Sequence, residues 1–157
     1  MSQEFLFRCE VKPEWIDYNG HMQDAYYGLI FSFAVDALQD AVGFDAAYRK
    51  ASGCTIYLLE DHKFFLREVH EGQQILVTSR VLDVDETKFH LHCEMTESSQ
   101  LVAVSELMEL HVNQHPKPHA IPMPKQSQSA LEAAQLSKEQ IGQIARNRRA
   151  RGIGIRR

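Results

Sequence analysis

Met22-Gln23-Asp24-Ala25-Tyr26-Tyr27-Gly28-Leu29-Ile30-Phe31-Ser32-Phe33-Ala34-Val35-Asp36-Ala37-Leu38-Gln39-Asp40-Ala41-Val42-Gly43 is the stretch that organises the chain around it. Apolar residues recur at Met22, Ala25, Tyr26, Leu29, Ile30, Phe33, Ala34, Ala37, Leu38 and Ala41, the i, i+3, i+4 spacing of a helix with one buried face. Gly43 stands where a helix C-terminal cap falls. The spacing predicts a helix of about 20 residues, roughly 30 Å long.

On both sides the period drops to two. Residues 5–11 read as a strand closed by Pro13. After a polar segment at 45–52 come 54–59 and 63–69, one long or interrupted strand, then 74–84, 87–96 and 101–112. Turn residues punctuate them at Glu71-Gly72 and Glu97-Ser98-Ser99-Gln100. Connections this tight pair strands antiparallel. One helix cannot cover both faces of five strands, so the sheet must wrap around it, an α+β fold. A single sheet leaves edges that need covering, which predicts a homodimer at least, with a tetramer left open.

The chain divides into a domain over 1–114, a linker over 115–128 holding Pro116, Pro118, Pro122 and Pro124, and an extension over 129–157. The extension reads as polar helices at 129–135 and 137–149, with Ser137 and Gln140 in capping-box spacing. With 157 residues, 44% apolar and 24% charged, the chain fits one globular domain plus a tail. The longest mostly apolar stretch, 25–37, is shorter than the ~20 residues of a membrane span and contains Asp36. No signal-peptide pattern opens the sequence, and Cys9, Cys54 and Cys93 lie far apart. Reduced thiols in the cytoplasm are expected.

Six arginines (146, 148, 149, 151, 156 and 157) crowd the last twelve positions with no acid among them, leaving 11 basic against 21 acidic residues in 1–145. A body with net charge −10 excludes nucleic acid as the main partner. Three readings of the tail stay open: a solvated end, a strap docked on the acidic body or a neighbouring subunit, or a contact to phosphates, which Arg forks recognise.

Reactive residue types concentrate in Trp15-Ile16-Asp17-Tyr18-Asn19-Gly20-His21-Met22, where a turn feeds the long helix. The first amides of a helix lack partners and carry partial positive charge, so a polarised carbonyl fits there. A carboxylate a few residues earlier can act as base or nucleophile. The alternative is that Asp17 or Asn19 merely caps the helix. Glu60, Asp61 and His62 interrupt an apolar strand, marking either a bulge at a site or an exposed edge. Alternation puts Glu60 and His62 on one side of that strand and Asp61 on the other. His90 and His92 share one strand face without a third ligand at metal spacing, so they line a polar face. No metal and no cofactor are expected.

Asp17-Tyr18-Asn19-Gly20-His21-Met22-Gln23-Asp24-Ala25-Tyr26-Tyr27 resembles the D-x-N-x-H-x-N-x-x-Y signature of hot-dog-fold acyl-CoA thioesterases of the 4-hydroxybenzoyl-CoA thioesterase-like group, over residues 3–114. The resemblance implies that Asp17 is the catalytic carboxylate, that Asn19 and His21 are its polar companions, and that Tyr27 belongs to the site. Gln23-Asp24 departs from the Asn-Asn often found there. Trp15 to Met22, Tyr57 to His62, Phe65 to Val69 and the Arg151-Gly152-Ile153-Gly154-Ile155-Arg156-Arg157 tail are also similar to the betainyl-CoA thioesterases of carnitine catabolism. That likeness implies hydrolysis of betainyl-CoA to glycine betaine and CoA, with CoA part of the substrate rather than a cofactor.

Aromatic faces bind trimethylammonium groups, and Trp15, Tyr18, Tyr26, Tyr27 and Tyr57 crowd near the motif, with Met22 beside them. Any of these aromatics could equally be core. The resemblance also implies that the second strand runs beside the helix N-terminus across the dimer, which puts Glu60 or His62 in the pocket. Glu60 then stands with the catalytic residues and as charge complement to the cation, and His62 with the substrate. Arg67 and Lys63 are candidates for the CoA phosphates. Two other functions stay open: a broad short- or medium-chain acyl-CoA thioesterase, and a non-catalytic acyl-CoA-binding module.

Overall fold

The computed structural model describes residues 2–157. Chain order is β1 (Phe5–Glu10), a 3-10 turn (Pro13–Trp15), α1 (Asp24–Ala41), α2 (Ala46–Ser52), β2 (Cys54–Phe65), β3 (Gln74–Val84), β4 (Lys88–Glu97), β5 (Gln100–Asn113), β6 (His119–Ala120), α3 (Lys125–Ala134) and α4 (Lys138–Ile144). Strands run in the order β1-β3-β4-β5-β2, all antiparallel, with β6 added to the end of β5. Register shifts at Leu58/Glu60, Val81/Asp83 and Met95/Thr96 bend the strands. The sheet curls around α1 as expected.

α1 forms because Tyr27, Ile30, Phe31, Ala34, Val35 and Leu38 make one stripe, and all six are buried. It ends where Phe44 N–H reaches back to Gln39 O at 2.9 Å across Gly43, whose φ is +101°. A Cβ on Gly43 would also stand 2.9 Å from Ser127 Oγ. The stripe meets Phe89, Leu91, Cys93 and Met95 of β4, each fully buried. Every large side chain so buried contributes about 1.5–3 kcal/mol. The alternate residues of β4, His90, His92 and Glu94, lie on the convex face, also buried.

Several sequence expectations need correction. The helix starts at Asp24, not Met22, because the Met22 amide bonds Val69 O (2.9 Å) and the Gln23 amide bonds Trp15 O (3.0 Å). The polar segment before β2 is a helix, α2, capped when the Asp45 carboxylate accepts the Tyr48 amide at 2.8 Å. α3 starts at Lys125, within the proline-rich stretch, and buries Leu131 in the main core. α4 carries the capping box, with Gln140 N–H on Ser137 Oγ (3.1 Å) and Ser137 N–H on Gln140 Oε1 (2.8 Å), but stops at Ile144.

Beyond α4 the chain straps the convex face. Arg148 forks onto Glu106 at 2.9 and 2.7 Å, Asn147 donates to Glu94 at 2.9 Å, and Arg157 forks onto Asp83 at 2.8 and 2.9 Å. Of the three readings of the tail, docking on the acidic body is the one observed. His90 and His92 sit under this strap on Glu106 (3.0 Å) and Glu94 (3.2 Å). Burial alone would raise the Glu106 carboxyl, but hydrogen bonds from His90 and Arg148 outweigh it and hold it at about 2. Glu94 is likewise held at about 2, its burial outweighed by His92 and Asn147.

Candidate active site

Ile16 and Met22 pair as an isolated antiparallel bridge, so the residues between them form a closed loop. Asp17 N–H bonds His21 O at 3.1 Å, and Gly20 N–H bonds Asp17 O at 3.0 Å. The Asp17 carboxylate accepts the Asn19 amide at 2.8 Å through Oδ1. Gly20 completes the loop with φ +85°, a conformation that strains any residue with a Cβ. Asp17 therefore shapes its own turn. Neither Asp17 nor Asn19 caps α1, whose N-cap, Gln23, makes no side-chain cap bond.

Asp17, Tyr18, Asn19, His21 and Met22 line a cleft of about 530 Å³ together with Tyr27, Arg67, Gln23, Asp24, Phe65, Leu66 and Glu68. Met22 and Tyr27 are buried, Asp17 and His21 are half-buried, and Tyr18 is 97% exposed. Tyr27 is fixed from two sides: its hydroxyl donates to Arg67 O at 3.1 Å and its ring meets Phe65 edge-on at 5.1 Å. Burial raises the Tyr27 phenol above its ordinary value, so it stays protonated as a donor. His21 Nε2 lies 3.4 Å from Glu68 Oε2. Since the Met22 and Gln23 amides are taken, the donors left at the start of α1 are those of Asp24 and Ala25.

Five sequence candidates lie outside this cleft. Trp15 is buried behind it, stacked on Tyr26 at 5.7 Å, with Lys12 Nζ 5.3 Å from its ring. Tyr57, Glu60 and His62 sit on β2, an edge strand of the sheet. The bulge at Leu58/Glu60 resets alternation, so that Asp61 lines a cavity against α1 while Glu60 and His62 do not. Glu68, beside His21, was missed. It follows the end of β2, where strand alternation gives no direction.

The thioesterase-like superfamily matches residues 11–131 of this chain. The betainyl-CoA thioesterase of Pseudomonas aeruginosa is 44% identical over 116 residues, covering 72% of this chain and 73% of that protein. An L-carnitine dehydrogenase/betainyl-CoA thioesterase of Agrobacterium fabrum is 38% identical over 109 residues, 69% of this chain but 22% of that longer protein. Among solved structures, a Staphylococcus aureus protein in complex with CoA superposes with a TM-score of 0.80 at 28% identity, covering 99% and 98% of the two chains. The chain belongs to the thioesterase-like superfamily and has its hot-dog fold, the scaffold of a thioester hydrolase.

Proposed function

We propose that the protein hydrolyses a short acyl-CoA thioester, betainyl-CoA, to glycine betaine and CoA. The observation that carries this reading is the Asp17–His21 loop, whose carboxylate lines one cleft with Asp24 at the start of α1, in a chain 44% identical to a betainyl-CoA thioesterase. The family match over residues 11–131 takes in the whole motif region.

The Asp24 and Ala25 amides accept charge building on the carbonyl oxygen. Asp17 removes a proton from water as the water oxygen bonds the carbonyl carbon, or attacks that carbon itself to form an anhydride that water then opens. Collapse breaks the C–S bond, the CoA sulfur leaves with the electron pair, and a proton restores the thiol. His21, tied to Glu68, and Asn19 orient water or the leaving sulfur. Arg67, the cationic side chain of the cleft lining, takes a CoA phosphate. Tyr18, Met22 and Tyr27 shape the acyl slot.

The working form is a homodimer joined along β2. That edge exposes Leu58, Leu59, Phe64 and Phe65. A second copy covers the apolar row and the unpaired backbone of the edge together. Pairing there brings Tyr57, Glu60 and His62 to the shared boundary. A cytoplasmic location completes the reading, supported by three unpaired thiols among the described residues. Of the limits 1–114, 115–128 and 129–157, the one at 128/129 falls inside α3, which packs on the main core. No helix among those residues is long and apolar enough to cross a membrane.

Free-thiol release from betainyl-, acetyl-, butyryl- and octanoyl-CoA tests the proposal. The expected result is a kcat/KM at least about a hundredfold higher for betainyl-CoA, or ~2.7 kcal/mol of transition-state discrimination. Activity rising with chain length replaces the substrate, and no release from any ester replaces the class with a CoA-ester binding module.

A further inference from the structure

Between α1 and β2 lies a second cavity, of about 440 Å³, walled by Asp36 and Asp40 of α1, Asp61 and Lys63 of β2, Glu109 of β5 and Arg49 of α2. Asp61 is paired with Lys63, and Arg49 donates to Phe44 O at 2.7 Å. Glu109 is 3% exposed and has no hydrogen-bond or ion-pair partner among the described residues. A buried carboxylate facing Asp36 and Asp61 without a counter-ion is costly. Burial, then Asp36 and Asp61, push its carboxyl up to about 7. A cation in the cavity supplies the missing partner.

We propose that this cavity, with Glu109 and Asp36 as its reading groups, binds the quaternary ammonium group of the substrate and serves the Asp17 cleft of a second copy of the chain. The inference rests on the betainyl-CoA reading and on the dimer through β2. Four points carry it. Two of the aromatic candidates for the cation are engaged, since Trp15 is buried, stacked on Tyr26 and faced by Lys12. A quaternary ammonium donates no hydrogen bond, so besides aromatic faces it is carboxylate charge in a partly enclosed cavity that reads it.

The third point is distance. Leu58, which also lines the cavity, is the register partner of Glu109 across from β2, seven residues from Phe65 at the catalytic cleft, or about 20 Å along the strand. The ammonium of a betainyl thioester is one methylene from the carbonyl, so one chain cannot place both groups. The fourth is symmetry. α1 and β2 pass in opposite directions, Tyr27 meeting Phe65 and Gly28 meeting Lys63 at one end. Twofold pairing of β2 edges sets the Phe65 end of one copy against the Thr55–Leu58 end of the other, where Glu109 and Asp36 lie.

The test uses 3,3-dimethylbutyryl-CoA, in which carbon replaces the ammonium nitrogen at the same shape. The kcat/KM ratio of betainyl-CoA to this neutral ester is measured for the full-length protein and for Glu109→Gln, Glu109→Asp and Asp36→Asn. A high ratio in the unaltered protein, reduced about tenfold or more by Glu109→Gln and by Asp36→Asn and partly restored in Glu109→Asp, is the expected result. A high ratio unchanged by these substitutions overturns the cation site and leaves the substrate reading standing. A ratio near one in the unaltered protein overturns both. Asp36 is exposed, so Asp36→Asn decides the matter if Glu109→Gln does not fold.

Discussion

Glu106 and Glu109 sit three residues apart on β5, both buried, and face opposite sides of the sheet. Glu106, on the convex face, is met by Arg148 and His90 and is held at about 2. Glu109, on the face toward α1, has no ion-pair partner among the described residues, since Lys63 is taken by Asp61 and Arg49 by Phe44 O, and burial with Asp36 and Asp61 raises it to about 7. The strand and the depth are alike; the counter-ion differs. The chain closes one carboxylate with its own C-terminal strap and leaves the other open to a cavity. Burial of charge is thus structural on one face and points to a ligand on the other.

Removing the counter-ion breaks the contrast. Arg148→Ala leaves Glu106 with His90 and, at 3.8 Å, His92, and is expected to cost about 2–4 kcal/mol in denaturant unfolding at pH 7. The sign with pH follows from the lowered value. Glu106 and Glu94 stabilise the fold above the ordinary glutamate range, and that contribution is lost as pH falls from about 4.5 toward 2. Acid unfolding of Arg148→Ala should therefore begin at higher pH than that of the unaltered protein.

Glu109 has the opposite sign. With its value raised, the folded state binds the extra proton, so stability is lost as pH rises from about 4.5 to about 7. Glu109→Gln should be more stable than the parent by about 1–3 kcal/mol at pH 8, with the difference vanishing near pH 4. An equal or lower denaturation midpoint at pH 8 would mean that Glu109 has a counter-ion. The smallest effect is expected at the strap's anchor: Ser137→Ala removes one arm of the α4 capping box and should cost about 1 kcal/mol.

Periodicity made α1 legible as a helix, but the face read from it was turned: Ile30, Ala34 and Leu38 are buried as read, whereas Leu29 and Phe33 are exposed and Tyr27, Phe31 and Val35 are buried in their place. The α4 capping box and the Ser98-Ser99 turn, with φ of 48° and 64°, were legible from local chemistry. α2 was not, since none of its seven residues is buried and no stripe exists to read. The start of α1 was obscured because Met22 is buried through a loop amide bonded to Val69, a long-range contact. The Asp17 loop could be read as a motif, but not its self-contained geometry. Alternation failed at β2, where the bulge turned Asp61 inward. Charge asymmetry disclosed the tail, while its partners Glu106 and Asp83 lie 42 and 74 residues away in sequence. Glu109 went unnoticed inside an apolar strand.

The central claim is that the Asp17 loop, rather than the acidic pair on β5, performs the chemistry. Asp17→Asn keeps an oxygen for the Asn19 amide and so preserves the turn. Turnover of saturating betainyl-CoA by this variant, measured beside its Tm, is the direct test. The account predicts that kcat falls about a thousandfold or more while Tm stays within a few degrees of the parent. Near-parental kcat in a folded Asp17→Asn protein would contradict it.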